Sequence, residues 1–131
     1  MNAIIKLMLV LGATLLSSHV VAATQIHTAT IDRGGNVIHQ DGAWIKNVNL
    51  INQQDYFATY EVSFNDGKFE KAPAFCSAST IDTGDTDRLL YGHVKIGGAA
   101  TVKKVDVLGL VPGKSGPSGD SSMSFQLMCI R

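Results

Sequence analysis

Apolar and polar positions alternate along short runs of this chain, most regularly in residues 56–64. One side of that run carries the larger apolar side chains, which are Tyr56, Ala58, Tyr60, Val62 and Phe64. A period of two residues is typical of a half-buried β-strand. Asn65-Asp66-Gly67 follows as a predicted turn, in which Gly67 tolerates a positive φ, and residues 68–69 are expected to resume an extended hairpin strand.

The same pattern predicts strands elsewhere, most of them separated by turns rich in Gly, Asp or Asn. They cover residues 24–31, 37–40, 43–50, 74–80, 88–96, 101–110 and 121–130. No window beyond the N-terminal segment shows the sustained 3.6-residue apolar period of a helix. Short strands at this spacing are typical of a sandwich or a barrel, and we expect an all-β fold, an antiparallel β-sandwich of about 6–8 strands.

The first 22 residues have the pattern of a secretory signal peptide. Lys6 supplies the positive charge, residues 7–16 form the apolar segment, and Val20-Val21-Ala22 provides small residues before a cleavage site. The alternative is a membrane anchor, but the apolar run is shorter than the ~20 residues that span a bilayer. Cleavage after Ala22, or after Ala23, would leave one exported domain, residues 23–131, in the periplasm or outside the cell.

The balance of charges argues against nucleic acid as a partner, and the cysteine count favours a disulfide. Eleven basic residues balance eleven acidic ones, without the cluster of Lys and Arg that nucleic acid requires. Cys76 and Cys129 both lie in the predicted exported part, where an even count favours a disulfide. The alternatives are a metal pair or a reactive thiol, but the two cysteines lack the CxxC spacing of such sites.

Candidate chemistry in the sequence is sparse. Asp82, Asp85 and Asp87 could offer oxygen ligands to Ca²⁺, but their spacing differs from that of an EF-hand, and Asp and Gly are also common in turns. The four histidines are dispersed, and none accompanies a nucleophile in a known motif. We therefore expect no enzymatic activity, no cofactor and no bound metal.

The aromatic side chains cluster around residues 56–76, and most of them are needed to fill a small core. Trp44, the only tryptophan, is expected to be buried at the start of an alternating strand. One or two aromatic rings on an outer face could instead stack on sugar rings. The sequence does not distinguish which rings these are.

Residues 60–96 resemble the H-type lectin domain. The similar features are an alternating strand that ends in Phe, a second Phe, a Pro before the next strand, an Asp-containing turn and a following Arg. In this chain they are Phe64, Phe69, Pro73, Asp82 and Arg88. Residues 35–48 and 125–131 also look like C-terminal β domains of phage tail fibres and bacterial secreted proteins.

The resemblance implies a six-stranded antiparallel sandwich that assembles as a trimer and binds carbohydrate near its subunit edges. Asp82 and Arg88, with Asp85 beside them, would then contact sugar hydroxyls. H-type lectins usually carry an aromatic residue in the last strand, where this chain has Leu127-Met128-Cys129. Our interpretation is a secreted, non-enzymatic binding or adhesion module with a glycan ligand. The alternative is a structural or assembly subunit whose edge strands pair with copies or partners.

Overall fold

The computed structural model describes residues 23–52, 57–81, 84–112 and 120–131. These residues form eight β-strands and one short helix. In chain order they are β1 (Ile26–Ile31), β2 (Val37–Gln40), β3 (Ile45–Asn52), β4 (Ala58–Phe64), β5 (Phe75–Thr80), α1 (Thr86–Tyr91), β6 (His93–Ile96), β7 (Lys104–Leu110) and β8 (Phe125–Ile130). The prediction of an all-β sandwich is confirmed.

The strands form two four-stranded antiparallel sheets. Sheet A has the order β2-β1-β8-β5 and sheet B the order β3-β4-β7-β6. The last strand, β8, lies between β1 and β5. It pairs with the first strand of the chain on one side and with β5 on the other. Edge strands β5 and β6 approach each other on one side of the sandwich, and α1 connects them in sequence.

The core lies between the sheets because alternate residues of the central strands point inward. In β4 the buried positions are Ala58, Tyr60, Val62 and Phe64, which confirms the alternation predicted for that strand. Sheet A supplies the facing layer from β1 and β8, including Ile31, Phe125 and Leu127. Burial of these side chains is the dominant favourable contribution to folding, at roughly 25 cal/mol for each Å² of apolar surface removed from water.

Trp44 belongs to the core and lies where the chain passes from β2 of sheet A to β3 of sheet B. Its side chain is fully buried, as predicted. The indole Nε1 donates a hydrogen bond to the main-chain oxygen of Thr28 at 2.9 Å, and the side-chain oxygen of Gln40 accepts from the N–H groups of Trp44 and Ile45. These bonds satisfy polar groups that would otherwise be buried without partners.

The predicted disulfide between Cys76 and Cys129 is present. The two residues lie directly opposite each other on β5 and β8, with their Cα atoms 4.1 Å apart. That short separation is typical of a pair whose main-chain groups do not bond each other in an antiparallel ladder. The cross-link therefore ties the edge strand β5 to the final strand.

Two sequence predictions of local structure are wrong. Residues 88–91 belong to α1 and not to a strand, because Asp85 caps the helix by accepting the N–H of Arg88. Residues 68–69 do not form a hairpin with β4, although Gly67 has the expected positive φ of 73°. The chain instead crosses to sheet A, and β4 pairs with β3 and β7.

The predicted signal peptide, residues 1–22, lies outside the described residues. Among the residues that are described, no helix is long and apolar enough to cross a membrane.

Candidate ligand-binding groove

The outer faces of the two sheets differ in charge. Strands β1, β2, β5 and β8 of sheet A contain no Asp, Glu, Lys or Arg. The outer face of sheet B carries a charged group in which Lys104 lies against Glu61 and Asp106. Charged side chains are the usual covering of a solvated sheet face, so the neutral outer face of sheet A differs from an ordinary surface.

Neutral polar groups line a groove of about 410 Å³ on this outer face. The strand register arranges its side chains in rows across the sheet. One row contains His39, Thr30, Gln126 and Ser79, and the next contains Thr28, Met128 and Ser77. Hydroxyl and amide groups both donate and accept hydrogen bonds, so the rows can bind a neutral ligand that is itself rich in hydroxyls.

A third row along the same face is apolar. Ile26, Ile130 and Phe75 lie side by side on β1, β8 and β5. The Phe75 side chain is 55% exposed and that of Ile26 is 53% exposed. The face is therefore polar along the groove and apolar beside it, with the aromatic ring of Phe75 on the edge strand β5.

The groove does not bring together a serine nucleophile and a histidine base. His39 and Ser79 share a row but lie on the outermost strands, three strand spacings or about 14 Å apart. A base must lie within hydrogen-bond reach of the proton it removes. The His39 and Ser79 side chains are therefore too far apart to act together as a base and its nucleophile.

Two of the three residues that the lectin resemblance assigned to ligand contacts, Asp85 and Arg88, lie away from the groove. Asp82 lies outside the described residues, so its predicted role stays a prediction. Asp85 and Arg88 lie at the start of α1, at the end of the sandwich where β8 begins. Arg88 is only 7% exposed, and it forms the centre of a group that we call the Arg88 cluster, which comprises Arg88, Asp85, Asp120 and Ser122.

Every guanidinium nitrogen of Arg88 has a partner within this cluster. Nε donates to the main-chain oxygen of Ser122 at 2.8 Å, and Nη1 donates to the Asp85 carboxylate. Nη2 donates to the main-chain oxygen of Asp120 at 3.1 Å and lies 3.3 Å from its carboxylate. These contacts hold α1 against the segment before β8. Arg88 therefore stabilises the packing of the helix against that segment.

The surroundings of Asp120 lower the pKa of its carboxyl group. Burial raises the pKa of its carboxyl, but hydrogen bonds from Ser122 and the positive charges of Arg88 and Arg33 outweigh that effect and lower the pKa overall. Asp85 also lies 3.6 Å from Arg33. The cluster therefore pairs its buried positive charge with two carboxylates, as a charge removed from water requires.

The described residues contain no group of three or more His, Cys, Asp or Glu side chains that could hold a metal ion. Asp85 bonds to Arg88, which places its carboxylate in an ion pair. With Asp82 outside the described residues, the alternative of Ca²⁺ binding by Asp82, Asp85 and Asp87 stays open.

Sequence reasoning did not identify the groove. The sequence pattern predicts a strand at residues 74–80, which contains Phe75, Ser77 and Ser79, but it does not show which strands lie beside them. The absence of charged residues from four separate strands was visible in the sequence. Its meaning depends on β1, β2, β5 and β8 lying side by side, which the sequence pattern does not specify.

Comparison of the chain with protein-family models, with curated proteins and with solved structures finds no match.

Proposed function

We propose that this protein is an exported, non-enzymatic binding module that binds carbohydrate in the groove on the outer face of sheet A. The observation that carries the proposal is the neutral, hydroxyl-rich lining of that groove beside an exposed apolar row. Sugars present hydroxyl groups at their rims and C–H groups on their ring faces. A surface with Thr, Ser and Gln on one side and Phe75 on the other complements both features.

Size and charge support the same ligand class. Ligand pockets usually occupy about 300–1,000 Å³, and the groove at about 410 Å³ falls within that range. The strands of sheet A carry no Lys or Arg to pair with phosphate and no acidic residue to pair with a cationic ligand. A neutral ligand avoids the loss of free energy that comes from removing an unpaired charge from water.

The test is a glycan-array screen of the oxidised mature protein, residues 23–131, followed by titration of the strongest ligand in solution. Gln126→Ala removes an exposed amide from the groove, and Phe75→Ala removes the exposed ring. We expect each to weaken binding about fivefold, the equivalent of ~1 kcal/mol. Asn49→Ala, at an exposed position of β3 in sheet B, is the matched control and should leave the affinity unchanged.

Two results would contradict the proposal. One is a folded, oxidised protein that binds no glycan on the array or in solution. The other is a glycan affinity that neither groove variant changes. In the second case Asp82→Asn tests the position implied by the lectin resemblance, because loss of affinity in that variant would support Asp82 as a sugar contact.

A further inference from the structure

The two long walls of the groove differ in chemistry. The first, which we call the Gln126 wall, is the row of His39, Thr30, Gln126 and Ser79, and the second, the Met128 wall, is the row of Thr28, Met128 and Ser77. On β8 the amide of Gln126 therefore faces the thioether of Met128 across the groove. The amide donates and accepts hydrogen bonds, whereas a thioether is only a weak acceptor. The centre of one wall is polar, and the centre of the other is nearly apolar.

Apolar surface continues behind the Met128 wall. Ile130 follows Met128 on the outer face of β8, and Ile26 and Phe75 flank Ile130 on β1 and β5. Successive rows on one face lie about 7 Å apart, because each residue advances a strand by about 3.3–3.4 Å. A chemical group that projects past Met128 therefore meets apolar side chains.

The fold holds the two walls at a fixed spacing. The disulfide between Cys76 and Cys129 joins β5 to β8 on the inner face, and each cysteine adjoins a residue of the Met128 wall. On its other side β5 lies along β6 of sheet B. Less free energy is lost in ordering a site whose walls are already in position. The groove is therefore suited to distinguishing ligands that differ in a single group.

We propose that the groove selects a 6-deoxyhexose, a neutral sugar with a methyl group at C5 where an ordinary hexose has a hydroxymethyl group. The inference rests on the function proposed above and names the class of sugar. In a pyranose ring C5 lies across the ring from C2, and C3 lies beside C2. A 6-deoxyhexose therefore presents hydroxyl groups on one edge and a methyl group on the opposite edge. These edges match the Gln126 wall and the Met128 wall.

An ordinary hexose fits the same position less well. Its additional hydroxyl group at C6 would lie over Met128 and Ile130, where it loses the hydrogen bonds that it makes in water. A methyl group at this place instead removes apolar surface from water. Thr28 and Ser77 lie on the neighbouring strands, about 4.8 Å to either side of Met128, where a hydroxyl group can donate to the ring oxygen beside C5. We expect the 6-deoxyhexose to bind about tenfold more tightly than the hexose of the same configuration.

The test begins with the glycan array of the oxidised mature protein, on which the glycans that bind should carry a 6-deoxyhexose. Titration then compares methyl α-L-fucoside with methyl α-L-galactoside, and methyl α-L-rhamnoside with methyl α-L-mannoside. The members of each pair differ only in the group at C5. We expect the 6-deoxy member of a pair that binds to have the higher affinity, by about tenfold.

Met128→Gln places an amide at the centre of the apolar wall, on an unbranched side chain of similar length. It should reduce the preference to about twofold or less, mainly by weakening the binding of the 6-deoxy sugar. Leu108→Gln is the matched control, because it puts the same amide at a half-buried outer position of β7 in sheet B. It should leave the preference unchanged. Melting of each variant shows that the fold is retained.

The outcomes separate this inference from carbohydrate binding itself. Equal affinities within the pairs, or array glycans that bind without a 6-deoxyhexose, would overturn the selection and leave carbohydrate binding in place. A preference that Met128→Gln does not change would overturn the assignment of the methyl group to the Met128 wall. The absence of binding to any glycan would instead contradict the function proposed above.

Discussion

The Nε of Arg88 donates a hydrogen bond to the main-chain oxygen of Ser122 at 2.8 Å, although the two residues are 34 positions apart in the chain. This bond joins α1 to the segment that leads into the last strand. The other guanidinium nitrogens bind Asp85 and Asp120, so Arg88 holds two carboxylates and two main-chain oxygens in place. The residue chosen from the lectin resemblance as a sugar contact therefore occupies a buried, fully bonded position.

Arg88→Gln is expected to lower the melting temperature, because the shorter neutral amide cannot reach all of these acceptors. Loss of the bonds should reduce the free energy of unfolding by roughly 1–3 kcal/mol. The carboxylates are partly exposed, at 27% and 54% of their side chains, so water can replace some of the lost contacts. The control is Lys103→Gln, a change from a cation to the same amide at an exposed position. Equal melting of both variants would contradict the structural assignment of Arg88.

Cys76→Ala/Cys129→Ala is expected to destabilise the domain by about 4 kcal/mol, since the disulfide closes a loop with a sequence separation of 53. Denaturant unfolding of the variant and of the oxidised protein gives the difference. The intact mass of the oxidised protein should lie two hydrogens below that of the reduced protein. Free thiols that alkylate in the folded protein would contradict the bond.

The sequence alone could predict the strands of the core, because their burial pattern is local. β4 and β8 each place large apolar residues at every second position, and the structure buries those residues. The helix α1 was not predicted because its six residues contain no helical period and depend on Arg88 reaching Ser122. Asp85 as N-cap and Gly92 as C-cap were the only local signals of this helix.

The groove was beyond sequence analysis for a different reason. Its polar row joins side chains from β1, β2, β5 and β8, which are far apart in the chain. Alternation predicts which side chains share a face of one strand, but not which strands are neighbours. The insertion of β8 between β1 and β5 decides that Thr30, Gln126 and Ser79 meet in one row.

Trp44→Phe separates the contribution of the indole hydrogen bond to stability from the contribution of the buried ring. The substitution keeps an aromatic ring in the core but removes the Nε1 donor that binds the oxygen of Thr28 at 2.9 Å. The oxygen of Thr28 still accepts the N–H of Asp41 at 2.9 Å, so we expect the lost hydrogen bond to destabilise the protein by about 0.5–1.5 kcal/mol, with a further loss from the smaller ring. Trp44→Ala should cost about 3–5 kcal/mol. The native protein should show a blue-shifted emission maximum, and a maximum like that of indole in water would contradict the burial of Trp44.

His27 should make the stability of the domain depend on pH in weakly acidic solution. The side chain is 8% exposed, packs against the rings of Trp44 and Phe69, and has no hydrogen-bond partner at Nε2 among the described residues. Burial lowers its pKa below the ordinary value of 6.5, the charge of Lys68 lowers it further, and Asp41 opposes the shift only in part. The unfolded chain therefore binds a proton at a higher pH than the folded chain does.

Stability that depends on a neutral His27 is fully present above pH 6.5 and is lost as the pH falls from about 6.5 to the lower pKa of the folded protein. Denaturant unfolding at a series of pH values from 7.5 to about 5 should show this decline. The carboxyl groups of Asp32 and Asp120, whose pKa is lowered by their hydrogen bonds, do not titrate in that interval. His27→Leu fills the same apolar space without a titrating group and should flatten the curve over that interval. His39→Gln, which removes an exposed histidine from the same sheet, should leave the decline intact. A decline that persists in His27→Leu and disappears in His39→Gln would contradict this prediction. It would show that the group responsible is His39 in the groove and not His27 in the core.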